Sequence, residues 1–177
     1  MRTIVCFGDS NTYGYRSEDQ LRFPFSQRWP GILQALLPED HIVEEGMNGR
    51  TTVLQDNLRP FRCGLDSLPV VLKSHDPVDL LILMLGTNDL KCRFSLNAKD
   101  VADGMDHLVE YAQTPLYLSL MRRPQILLLA PPPMNQTAVN NSAMKLEMDV
   151  HSVEESQKLA LYYQDIAQRR KCHFFDT

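Results

Sequence analysis

Apolar residues in this chain come in short blocks separated by polar, glycine-bearing or proline-bearing stretches. Residues 3–7, 41–45, 80–85, 126–130 and 172–175 have strand length and a β-branched, leucine or aromatic bias. Leu80 to Leu85 contains no polar position, the pattern of a central parallel strand covered on both faces. Helical spacing fills the intervals. Residues 29–37 read as a helix with Pro30 in its first turn and Pro38 as its stop. Residues 65–74 predict a second helix. Ser95 caps a third that runs to residue 113, with Val101, Met105, Leu108, Val109 and Ala112 on one stripe. Ser152 and Glu155 have capping-box spacing and open a fourth, whose stripe is Leu159, Tyr163 and Ile166. Residues 131–150, opening on three prolines, read as a long polar loop, and residues 114–124 carry no assignable pattern.

Strand and helix alternate throughout, which implies a parallel sheet with helices on both faces. Right-handed crossovers then limit the topology. The expected fold is α/β: a three-layer α/β/α sandwich on a five-stranded parallel sheet in the flavodoxin-like order 2-1-3-4-5. The 177 residues suit one domain, 1–177, with a sizeable core. The order places the switch point between the first and third strands, where open α/β sheets bind ligands.

That order makes neighbours of the exit loops of strands two, one and three, which carry Gly49, Ser10 and Asn88. Acyl transfer needs a hydroxyl nucleophile and donors aimed at the developing oxyanion. Ser10, with its own amide, the Gly49 amide and the Asn88 side-chain amide, forms such a set. Taken singly, Gly8-Asp9-Ser10 is a polar turn, Gly49 a turn glycine and Asn88 an Asx-turn residue. Their coincidence at one sheet edge points to a serine-centred site. Asp9, Asn11, Phe23, Phe25, Trp29 and Met47 are candidates for the substrate pocket.

Charge and composition narrow the classes. Apolar residues make up 44% of the chain, which argues against disorder. A net charge of -4 and no basic stripe argue against a nucleic-acid partner. The cluster Arg169-Arg170-Lys171 falls at a helix C-terminus, where the dipole favours cations. The N-terminal apolar run is too short for a signal peptide, and no run approaches a membrane span. Cys6, Cys63, Cys92 and Cys172 form no CxxC pair and no metal spacing with histidine, and Cys6 and Cys172 read as buried strand residues. A reduced, cytoplasmic protein is expected. A nucleotide-binding reading lacks a glycine-rich phosphate loop.

The same segments resemble a known family. Gly8-Asp9-Ser10, the glycine of Asn48-Gly49-Arg50-Thr51-Thr52, and Gly86-Thr87-Asn88-Asp89 are similar to the first three motif blocks of the SGNH (GDSL-type) hydrolases. Glu44-Glu45-Gly46 and the tract from Leu83 to Asp89 resemble its arylesterase and acyltransferase branch. The resemblance implies hydrolysis of small acyl esters through an acyl-enzyme on Ser10, with Gly49 and Asn88 in the oxyanion hole and no metal or cofactor. The branch is also compatible with a homo-oligomer.

The family's fourth block, an Asp-x-x-His motif after the fifth strand, has no counterpart before Thr177. The expectation is that the natural protein continues for a few tens of residues, which carry the base and a helix covering one sheet face. Of the five histidines, His41, His75, His107 and His173 read as structural or solvated, and His151 alone falls on the catalytic edge. The competing reading is a binding module of this fold that has lost its base.

Overall fold

The structure is a computed structural model that describes residues 1–114 and 121–177. Five parallel strands form one sheet: β1 (Thr3–Gly8), β2 (His41–Gly46), β3 (Leu80–Met84), β4 (Gln125–Ala130) and β5 (His173–Asp176). Their order is β2-β1-β3-β4-β5, the flavodoxin-like order expected. Gly8 stands opposite Gly46 on one side and Met84 on the other. The exit turns of the three strands therefore leave the sheet at one level.

The helices are α1 (Ser10–Tyr13), α2 (Trp29–Leu36), α3 (Gly64–Ser74), α4 (Ala98–Gln113), α5 (Gln136–Asn140), α6 (Val150–Ser156) and α7 (Leu159–Arg170). Because side chains alternate along a strand, each strand feeds two cores. Val5, Phe7, Leu81, Leu83 and Leu128 enter the larger one, against Leu68 and Leu72 of α3, Met105 and Leu108 of α4, and Tyr163 and Ile166 of α7. Each fully buried leucine or phenylalanine there contributes about 1.5–3 kcal/mol. Ile4, Cys6, Ile42 and Ile82 face the other way, against Trp29 and Leu33 of α2. This second layer is thinner. Leu127 and Leu129 are half-buried, and Phe175, the register partner of Leu129, is 60% exposed.

Helix starts differ from the sequence pattern. Asn97, not Ser95, caps α4: its Oδ1 accepts from the Asp100 amide at 3.0 Å, while Asp100 Oδ2 accepts from the Asn97 amide at 3.2 Å. The Ser95 hydroxyl is taken up by the Cys92 carbonyl, at 3.1 Å, and its backbone is left-handed (φ 53°). The last helix is two, α6 and α7. Asp149 caps α6, and Ser152 is the reciprocal third residue of that box. Glu155 turns instead to α4, accepting from the Ala98 amide at 2.7 Å. Side chains that match a local capping motif are here recruited across elements, which spacing does not show. The 131–150 stretch is not a plain loop. It holds α5, capped by Asn135, and a 3-10 turn over Ala143–Leu146. Cys172 lies just before β5 and is half-buried. Residues 115–120 of the unassigned connection lie outside the described residues. Among the described residues no helix is long and apolar enough to cross a membrane.

Candidate active site

The backbone turns into α1 directly after β1. Asp9 caps that helix, its Oδ1 accepting from the Asn11 amide at 2.9 Å. Ser10 thereby becomes the first residue of α1, half-buried at the carboxyl edge of the sheet. Among the described residues nothing hydrogen bonds to its hydroxyl. The short helix lies against the end of β2, where a Cβ on Gly46 would come within 2.2 Å of the Tyr13 nitrogen. Glycine permits that approach.

The β2 exit turn is held to β1 by the Gly8 carbonyl. It accepts from the Met47 amide at 3.0 Å and from Arg50 Nη1 at 3.0 Å. Arg50 Nη1 also donates to the Glu45 carbonyl, and the guanidinium sits 4.1 Å from the Phe7 ring centroid. Burial pushes the Arg50 pKa down to about 10, against the opposing charges of Glu45 and Asp9. Gly49 sits above it at φ +81°, a left-handed conformation that a side chain would strain.

The third turn is a 3-10 turn over Thr87–Leu90. Asn88 Nδ2 donates to the Arg50 carbonyl at 3.1 Å and to Asp9 Oδ2 at 3.3 Å. One side chain thus joins the turns after β1, β2 and β3. Next to it, Asp89 is fully buried and accepts from the Thr52 amide at 2.9 and 3.1 Å and from Thr52 Oγ1 at 2.6 Å. Burial pushes the Asp9 carboxyl up to about 6, opposed by its Asn11 hydrogen bonds and by Arg50. It pushes Asp89 up to about 7, where the Thr52 bonds oppose and the charge of Asp9 adds.

Ser10, Gly49 and Asn88 therefore lie on three joined turns. Two placements differ from the sequence picture. Asn88 does not present a free donor, because a buried amide without substrate must find acceptors for its N–H groups. Asp9 lines no open pocket: it is 0% exposed and serves as cap and acceptor. The other pocket candidates scatter. Asn11 is exposed, and Met47 is half-buried with its sulfur 3.9 Å from Arg50 Nη2. Trp29 packs in the thinner core. Phe25 lines a shallow groove of about 470 Å³ with Gly31, Ile32 and Leu36 of α2. Phe23 is held by its amide to the Gly14 carbonyl at 2.7 Å, with Arg16 over its ring.

Sequence reasoning missed the buried polar frame: Arg50, the Thr52–Asp89 pair, and an ionic cluster of Lys91, Asp56, Arg93 and Glu147. Arg50, Asp89 and Lys91 all lie within three positions of a predicted site residue, and that proximity was the available signal. No histidine hydrogen bonds to Ser10. His75 Nε2 is 3.3 Å from Glu45 Oε1, His107 pairs with Glu110, and His151 is exposed on α6. Among the described residues no group of histidine, cysteine and carboxylate side chains is arranged to hold a metal.

Residues 6–177 match the model of the GDSL-like lipase/acylhydrolase family. The chain belongs to that family. Its sheet order and its serine, glycine and asparagine turns agree with this membership. A carbohydrate acetylesterase from Sinorhizobium meliloti is 37% identical with a TM-score of 0.91, over 99% of this chain and 84% of that one. The native aryl esterase of M. smegmatis is 34% identical with a TM-score of 0.90, over 99% of this chain and 84% of that one. A lipase/acylhydrolase from Enterococcus faecalis, 19% identical over 99% of this chain and 76% of that one, shares the fold, with a TM-score of 0.65. No match is found among curated proteins. Membership and these relatives put the chain among acyl-ester hydrolases, on the arylesterase branch of the SGNH hydrolases.

Proposed function

We propose that the protein is a serine esterase that cleaves small acyl carboxylic esters through an acyl-enzyme on Ser10, with water or an alcohol as the final acceptor. The observation that carries the reading is the Asn88 amide, which bonds at once to the Ser10 turn and to the Gly49 turn. On this reading a carbonyl over Ser10 takes its donors from the three joined turns. The Ser10 oxygen attacks the carbonyl carbon, and the carbonyl π pair moves onto oxygen. The amides of Ser10 and Gly49 and one N–H of Asn88 then receive the oxyanion. One of the two Asn88 bonds is exchanged for the oxyanion. Water takes the Ser10 proton as the new C–O bond forms, and the intermediate collapses by expelling the alcohol, which takes a proton back from water as it leaves. Water or a second alcohol then attacks the acyl-serine and releases the acid or a new ester. The similar structures named as a carbohydrate acetylesterase and an aryl esterase support a small-ester reading.

No described residue is placed to take the Ser10 proton. The 177 residues by themselves are therefore expected to turn over slowly, at the residual rate left by the oxyanion hole and binding, about 10³–10⁴ over water. The test is hydrolysis of p-nitrophenyl acetate, with imidazole supplied as the base, by the chain and by Ser10→Ala. Loss of the protein-dependent rate in the variant supports the reading, and an unchanged rate ends it. The competing reading is a non-catalytic module that binds esters. Saturable ester binding with no Ser10-dependent turnover, even when exogenous imidazole supplies a base, selects that competitor.

A further inference from the structure

Lys91 follows the Asn88 turn and is 1% exposed. Its Nζ stands 3.5 Å from Glu147 Oε2 and 3.7 Å from Asp56 Oδ2, and it finds no hydrogen-bond partner. Those carboxylates are already bonded. Arg93 reaches Asp56 at 2.5 Å and Glu147 at 3.0 Å, and Arg59 reaches Glu147 at 2.9 Å. Three cations, Lys91, Arg93 and Arg59, thus share two carboxylates, and Lys91 pairs with them without a hydrogen bond. Burying an ammonium without full pairing is unfavourable. Burial does hold its pKa below the ordinary lysine value, with Glu147 and Asp56 raising it and Arg93 and Arg59 lowering it. Charge balance inside the cluster does not explain the residue.

What Lys91 faces does explain it. Its Nζ lies 3.8 Å from the point where a Cβ on Gly49 would stand, on the side that Arg62 Nε approaches to 3.3 Å. Asp56 belongs to the loop after β2, Lys91 and Arg93 to the loop after β3, and Glu147 to the loop after β4. The cluster ties these three loops together behind Gly49. We propose that Lys91 is a positioning residue for the oxyanion hole: Asp56 and Glu147 hold its charge behind the Gly49 turn, where it orients that turn and supplies a fixed positive potential to the developing oxyanion. Nζ is too buried to touch substrate. A fixed charge in a water-excluded site acts more strongly than the same charge in water, and it needs no reorganisation when the oxyanion forms. This inference rests on the serine-esterase reading.

The test compares Lys91→Met and Lys91→Arg in the chain as it stands. Met removes the charge and leaves Asp56 and Glu147 paired to arginines, so the fold is retained; Arg keeps the charge. The readouts are kcat and KM for p-nitrophenyl acetate, and the Kd of phenylboronic acid, which forms a tetrahedral anion on a reactive serine. Lys91→Met is expected to lower kcat about ten- to a hundredfold, somewhat less than loss of a direct donor, with KM nearly unchanged. Boronate affinity is expected to fall by the same factor, and Lys91→Arg to restore most of both. Unchanged kcat and boronate affinity in Lys91→Met would overturn the inference. So would equal losses in both variants accompanied by a lowered Tm, which would mean packing alone. Ser10-dependent turnover with an unaffected Lys91→Met removes this inference and leaves the esterase reading standing. A wild-type chain that neither binds boronate nor shows Ser10-dependent turnover removes both.

Discussion

Asn88 Nδ2 donates to Asp9 Oδ2 across 3.3 Å, joining the turn after β3 to the cap of the helix that presents Ser10. The same nitrogen reaches the Arg50 carbonyl at 3.1 Å, so its two hydrogens are both engaged before substrate arrives. On the proposed mechanism, replacing Asn88 with Ala removes a donor to the oxyanion, and it leaves a buried carboxyl and a buried carbonyl short of a partner. Steady-state kinetics are expected to show kcat falling about 10²–10³-fold with KM little changed. A variant that retains wild-type kcat would remove Asn88 from the oxyanion hole.

Asp9 and Asp89 give a pH dependence whose sign can be worked out. Burial raises the folded pKa values to about 6 and about 7. The unfolded value is about 3.9. Between about pH 4 and pH 7 the folded state therefore holds more protons than the unfolded state, and this contribution to stability declines as pH rises. Below the unfolded pKa it is fully present. Asp89→Asn removes one such group while keeping an acceptor for Thr52. Urea denaturation from pH 4.5 to 8 is expected to show the variant gaining stability relative to wild type as pH rises through 7. A constant difference across that range would contradict the assignment.

Gly49→Ala tests the backbone of the turn proposed to bind the oxyanion. At φ +81° an L-residue is strained by about 1–2 kcal/mol, and the new Cβ would stand 3.3 Å from Arg62 Nε. Chemical denaturation is expected to report a loss of that size. Activity is expected to fall further than stability, because the turn moves relative to Asn88. If the variant matches wild type in both, the left-handed geometry is not needed.

Ser152 links α6 to the asparagine turn, its hydroxyl donating to the Leu90 carbonyl at 2.6 Å in a buried setting. Ser152→Ala leaves that carbonyl unsatisfied and is expected to destabilise the fold by about 1–3 kcal/mol. Thermal unfolding checks it. An unchanged Tm would mean that the bond makes no net contribution.

The sequence by itself determined the sheet. Five apolar blocks alternating with helical spacing imply a parallel sheet, and the flavodoxin-like order expected for it is the one observed. It also placed Ser10, Gly49 and Asn88 in the loops that leave three of those strands, and the register that sets Gly8, Gly46 and Met84 level brings these loops to one edge. Helix starts were less legible. Ser95 and Ser152 both fit local capping patterns, yet Asn97 and Asp149 hold those roles, since neighbouring loops compete for the same hydroxyls. Only the tertiary structure decided that Asp9 is buried, that Asn88 is already bonded, and that Arg50, Asp89 and Lys91 form an interior polar frame. Periodicity reports which face of an element is apolar. It carries no information on whether a charged residue in an exit loop points to water or folds under a neighbouring turn. That depends on partners far away in sequence, such as Asp56 and Glu147 for Lys91, which meet only when the sheet brings their loops together.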